Sequence, residues 1–109
     1  MWVDLDPAHG HEANKRRPAV IVSNDGVNLT AEALGQGVVT VVPVTSNTQR
    51  VYPFQVLLPA GSCGLGRASK AQAEQIRSVS IGRVGGTAGH LPSDLVAELD
   101  GALRLHLAL

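Results

Sequence analysis

A chain of 109 residues with 44% apolar side chains is expected to form one domain with its own core. Nine lysines and arginines balance nine acids, which argues against gripping duplex DNA by bulk electrostatics. Trp2, Tyr52 and Phe54 are the only aromatics, so nucleic-acid binding through rows of stacking rings is not expected either.

Trp2-Val3-Asp4-Leu5 alternates apolar and polar, as a short or edge strand does. Asp6-Pro7 and Gly10 open a loop, and residues 18–23 form a β-branched run suited to a central, doubly buried strand. Asn24-Asp25-Gly26 breaks it, with a helical turn or two from Leu29 to Leu34. After Gly35-Gln36-Gly37, residues 38–42 read as a second buried strand. A polar connection leads into a third long strand, Val51 to Leu58, marked as an edge or bulge by Pro53. Pro59-Ala60-Gly61-Ser62 turns the chain, residues 68–79 alternate roughly, with strands through Ala71–Ile76, and Gly82–Gly89 is a loop.

The last element is the clearest helix. Pro92 suits a first helical position, and Ser93 and Asp94 suit the first turn. Leu95, Leu99, Ala102, Leu103 and His106 or Leu107 recur at helical spacing. Several short strands and one terminal helix imply a small, mostly antiparallel β-barrel in an α+β, mainly-β domain.

Two segments concentrate reactive side chains. Gly10-His11-Glu12-Ala13-Asn14-Lys15-Arg16-Arg17-Pro18 puts a histidine, a carboxylate and three cations on a loop that runs into a strand. Val41-Val42-Pro43-Val44-Thr45-Ser46-Asn47 ends a second strand in hydroxyl and amide groups. Taken singly, Arg17 reads as a surface cation at a strand start, Glu12 as a solvated acid beside Lys15 or Arg16, and Thr45 as a strand former. The charge balance leaves room for a local basic groove. Residues 1–90 hold eight cations against six acids, and Arg104 alone faces Asp94, Glu98 and Asp100. His9-Gly10-His11-Glu12 fits no specific metal-ligand spacing. Cys63 is the single cysteine, excluding an intramolecular disulfide and a cysteine-based zinc site. No apolar run approaches the ~18–20 residues needed to span a bilayer, and the N-terminus lacks a signal-peptide pattern. A soluble cytoplasmic protein without membrane association is expected.

Jointly, these segments resemble the MazF/PemK/Kid family, the RNA-cutting toxins of bacterial toxin–antitoxin pairs. The run from Trp2 to Pro7, Gly10-His11-Glu12 and Arg17 to Asp25 resemble its N-terminal motif, and Val41 to Ser46 its second. Ala73-Glu74-Gln75-Ile76-Arg77-Ser78 is similar to its third motif and Leu99 to Leu103 to its closing helix. Family members carry a few residues ahead of the position of Trp2, where this chain has Met1, so a clipped first strand is expected. The resemblance implies an SH3-like barrel closed by a C-terminal helix, a homodimer, and a cognate antitoxin whose acidic disordered tail folds into the RNA groove. Its implied activity is sequence-specific, metal-independent cutting of single-stranded RNA, with no cofactor. The implied products are a 2′,3′-cyclic phosphate and a 5′-hydroxyl. The alternative is a non-catalytic toxin or binding module on the same fold, such as a CcdB-like gyrase inhibitor. Against it, the chain ends without the tryptophan-containing tail of that branch and retains Arg17 and Thr45.

Carried over residue by residue, the resemblance puts the catalytic arginine on Arg17 and the phosphate-holding threonine on Thr45, with Glu12 in support. A guanidinium suits phosphate charge because it is planar, forked and always ionised. Glu12 and His11 are candidate proton acceptors for the ribose 2′-hydroxyl. His11, Lys15, Arg16, Ser46, Asn47, Glu74 and Arg77 are the implied RNA-binding residues. Kid carries an Arg-x-Asp element where this chain has Gln72 and Glu74, so the MazF-like arrangement is favoured. Arg50, Arg67 and Lys70 are solvated charges on the plain reading and groove cations on the functional one. Asn47, Gln49, Arg50 and Tyr52 are near enough in sequence to meet flanking nucleotides.

Overall fold

The computed structural model describes residues 2–4, 16–61, 64–85 and 89–109. Strand β1 (Trp2–Asp4) lies antiparallel to β2 (Arg16–Ile21). The chain then enters helix α1 (Asp25–Leu34), longer than the turn or two expected. Its start is set by Asn24, whose side-chain oxygen accepts the Val27 N–H at 2.9 Å. Its end is set by Gly35 at φ 65°, a left-handed conformation in which a side chain would be strained.

Strand β3 (Val38–Thr45) is the centre of the sheet. One edge pairs with β2. The other pairs first with β6 (Arg77–Ser80), from Val38 to Val41, and then with β5 (Ser69–Gln72), at Val44 and Thr45. Pro43, which has no N–H to donate, falls where that edge changes partner. This is how β3 runs through a proline and on to Thr45. It is also why residues 71–76 are not one strand. A 3₁₀ turn over Ala73–Gln75 lifts the chain from β5 to β6.

The third long strand is shorter than expected. β4 covers Gln55–Leu58, because the Gln55 N–H donates to the Tyr52 carbonyl at 2.9 Å and closes residues 52–55 into a turn. All pairs are antiparallel, and the path runs β1-β2-β3-β5-β4 with β6 also on β3. Among the described residues the path is open at β1 and β4. Within the stretch expected to be a loop, Ile81–Arg83 forms a further 3₁₀ turn.

Helix α2 (Ser93–Leu107) closes the domain. Pro92 sits at its N-cap rather than at the first helical position. Leu95, Leu99 and Ala102 are buried as their spacing predicts, whereas His106 and Leu107 are exposed, so the apolar stripe stops a turn early. Successive residues of a strand face opposite ways, and β3 is covered on both sides. Val42 and Val44 pack with Val56, Leu58, Ala71, Leu95, Leu99 and Ala102 under α2. Val39 and Val41 pack with Ala19, Ala31 of α1 and Val79 on the other face. A strand buried on both faces needs apolar residues at every position, which accounts for the unbroken run Val41-Val42-Pro43-Val44. No helix among the described residues is long and apolar enough to cross a membrane.

Candidate active site

The β2–β3 pairing brings the two sequence motifs together. Ala19 pairs with Pro43 and Ile21 with Val41. Carrying that register outward by two residues sets Arg17 level with Thr45. Arg17 is exposed, and Thr45, the last residue of β3, is half-buried. Arg17, Thr45 and Ser46 line one open cleft of 460 Å³, with Pro18, Arg67 and Ser69 on its wall. A larger hollow of 610 Å³, beside α1 and Ile81, contains none of the predicted site residues. Size alone does not identify a site, and the polar convergence is at the smaller cleft.

Thr45 is held for donation. Its hydroxyl oxygen accepts the Asn47 backbone N–H at 3.3 Å, and the Asn47 side-chain oxygen in turn accepts the Gln49 N–H at 3.3 Å. These two contacts wind the chain tightly after β3, a local side chain-to-backbone pattern favoured by Thr and Asn. A hydroxyl that accepts one bond still has its own proton to give, so Thr45 presents an O–H at the cleft. The Arg17 guanidinium adds a fixed positive charge and several donors. Together these groups suit an anion with several oxygens, as a phosphodiester has.

Other predicted residues lie elsewhere. Arg77 pairs with Val41, four residues along β3 from Thr45, or about 13 Å at ~3.3 Å per residue. Glu74 belongs to the 3₁₀ turn, and its Oε2 accepts the Gln55 side-chain amide at 2.7 Å. Contacts from Glu74 and Arg77 to RNA therefore require a strand that extends beyond the cleft. Arg16 opens β2 opposite Asp4. His11, Glu12 and Lys15 lie outside the described residues, as do the His9 and Cys63 considered above. Arg67 joins the cleft from within the β4–β5 connection, just before β5. In the sequence it was one cation among several, because nothing local says that its turn folds back against β3. Ser69 carried no signal.

Comparison with known proteins identifies the family. The chain is 60% identical over 110 residues to Endoribonuclease MazF9 of Mycobacterium tuberculosis, covering 100% of this chain and 93% of the relative. A crystal structure of MazF from Deinococcus radiodurans superposes with a TM-score of 0.73 at 32% identity, covering 99% of this chain and 91% of that one. A MazE–MazF crystal structure from the same organism gives a TM-score of 0.73 at 28% identity, covering 99% and 89%. Residues 1–107 match the family described as PemK-like, MazF-like toxin of type II toxin-antitoxin system. With residues 1–107 matched and 60% identity to a relative covered over nearly its whole length, this chain belongs to that family.

Proposed function

We propose that this protein is a cytoplasmic toxin endoribonuclease that cuts single-stranded RNA at a short sequence, without a metal ion or cofactor. The observation that carries the reading is the shared cleft of Arg17, Thr45 and Ser46, in a chain 60% identical to an endoribonuclease. In the reaction, the ribose 2′-hydroxyl loses its proton and its oxygen bonds to the adjacent phosphorus. The bond from phosphorus to the 5′-oxygen breaks, and that oxygen takes up a proton. The products are a 2′,3′-cyclic phosphate and a 5′-hydroxyl.

Arg17 stabilises the charge that builds on the phosphorus oxygens, an interaction stronger in the transition state than in the ground state. The Thr45 hydroxyl holds one of those oxygens, kept in place by the Asn47 N–H. Glu12, with His11 as the other candidate, accepts the 2′-hydroxyl proton. Ser46 and Asn47 flank the phosphate, and Lys15 and Arg16 add positive charge for binding the RNA. Glu74 and Arg77 meet the strand farther from the cut.

The same cleft is the docking site for an antitoxin. A disordered acidic tail that folds there places carboxylates where phosphates would lie and blocks substrate directly. The MazE–MazF crystal structure supplies the precedent for such a pair. A homodimer is the assembly proposed for the free toxin.

The test is incubation of a long single-stranded RNA with the purified protein in excess EDTA, beside Arg17→Ala, with fragment ends mapped. Cutting at one recurring short sequence, leaving cyclic phosphates and lost in the variant, is the expected result. Intact RNA, or cutting that EDTA abolishes, would overturn the reading.

A further inference from the structure

Two of the three aromatic residues of this chain are spent outside the core, and their placement is specific. Tyr52 and Phe54 stack on the turn before β4, with centroids 5.3 Å apart and planes within 2° of parallel. Tyr52 is 41% exposed, while the core is built from Val, Leu and Ala. Two cations attend the pair. The Arg50 guanidinium lies 5.8 Å from the Tyr52 centroid, and its Nη1 donates to the tyrosine oxygen at 3.2 Å. The Lys70 ammonium lies 6.0 Å from the same ring and donates to the Arg50 carbonyl at 2.6 Å.

Lys70 is the link to the active site. It is only 8% exposed, and it is the paired neighbour of Thr45 across β3 and β5. Its backbone therefore stands beside the phosphate-holding hydroxyl, while its ammonium reaches the aromatic pair. Among the described residues the ammonium's partners are a carbonyl and a ring, both neutral. Burying a lysine among neutral groups is costly, which favours a site where an anion completes the arrangement.

We propose that Tyr52, Phe54, Arg50 and Lys70 form a nucleotide subsite beside the cleavage cleft. Here an unpaired base of the RNA stacks on the aromatic pair while its phosphate faces the two cations. This rests on the reading of the chain as an RNA-cutting protein. Every base has a π face, so one ring pair suffices to hold a splayed base without selecting its identity. The rows of rings that the composition excludes are not required. Lys70 acts as a positioning residue, tying the turn that carries the platform to the strand next to Thr45.

The chain has a single tyrosine, so protein labelled with ¹³C on the tyrosine ring reports on this site alone. The probes are a deoxyadenosine heptamer, uncleavable for want of 2′-hydroxyls, and an abasic heptamer of equal charge. The expected result is an upfield shift of the Tyr52 ring signals with the first and none with the second. Equal shifts with both, no shift at millimolar oligonucleotide, or a shift only with an acidic peptide would overturn the proposal. With long RNA, Tyr52→Leu should raise KM by about 5- to 100-fold with kcat little changed, and Tyr52→Phe, which keeps the ring and loses the Arg50 hydrogen bond, should raise it less. A fall in kcat at constant KM would also overturn it. The two readings fail separately. A base-dependent ring shift in a protein that leaves RNA intact upholds the platform and defeats the nuclease, whereas RNA cutting without a ring shift does the reverse.

Discussion

The Gln55 side-chain amide donates to the Glu74 carboxylate at 2.7 Å, and the Gln55 carbonyl oxygen accepts the Tyr52 backbone N–H at 3.1 Å. One buried glutamine thereby ties β4, the 3₁₀ turn after β5 and the aromatic turn together. The second Glu74 oxygen, Oε1, is buried without a hydrogen-bond partner among the described residues. A buried acceptor removed from such a chain leaves a donor unsatisfied, at a cost of about 1–3 kcal/mol. Glu74→Ala should lose that much in urea unfolding. Glu74→Gln, which keeps an acceptor for Gln55, should stay within about 1 kcal/mol of wild type. Equal losses would show that the charge, rather than the hydrogen bond, is what Gln55 requires.

Arg17 is exposed at the cleft, so its loss should leave folding nearly untouched. Arg17→Ala is expected to slow RNA cleavage by on the order of 10²–10³, the usual effect of removing one donor to a developing oxyanion. Arg17→Lys should recover part of it, because an ammonium keeps the charge and loses the fork. Single-turnover cleavage, beside thermal unfolding of each variant, separates the two effects.

Thr45 offers a sharper test, because its two proposed roles divide between two substitutions. Thr45→Ser keeps a hydroxyl to accept the Asn47 N–H and to donate to phosphate, and should cleave RNA at near wild-type rates. Thr45→Val keeps the shape and loses both roles. Cleavage should fall by roughly tenfold or more, since a hydrogen bond to a charged group is worth about 1.5–3 kcal/mol. Equal rates for the two variants in single-turnover assays would remove Thr45 from the chemistry.

The face of α2 that closes the domain predicts a contrast in stability. Leu99 is 3% exposed and Leu105 58%. Leu99→Ala opens a cavity between the helix and the sheet and should cost about 2–5 kcal/mol. Leu105→Ala should change stability by less than about 0.5 kcal/mol. Denaturant midpoints at constant m-value are the measurement. A large loss at Leu105 would show that the exposed side of α2 is covered in solution.

The start of α1 is a smaller, cleaner case. Asn24→Ala removes the acceptor for the Val27 N–H and should cost about 1 kcal/mol, while Asn24→Asp should cost little. The readout is urea unfolding followed by far-ultraviolet circular dichroism.

Residue order alone announced the β-branched runs, the Arg17 and Thr45 motifs and the stripe Leu95, Leu99 and Ala102, because strand and helix periods are local properties. The family resemblance added the SH3-like form of the barrel and the chemistry. The pattern did not show that residues 71–76 divide between two strands, or that residues 51–54 leave the sheet. Each of these depends on which edge of β3 is free to pair, and a partner distant in sequence decides that. The same holds for function. Arg17 and Thr45 are far apart in the chain and meet through the antiparallel register of β2 and β3. Arg67 reaches their cleft and Lys70 the side of Thr45 only because β5 returns against β3. A lysine in a sequence is a charge; packing against a neighbouring strand makes it part of a site.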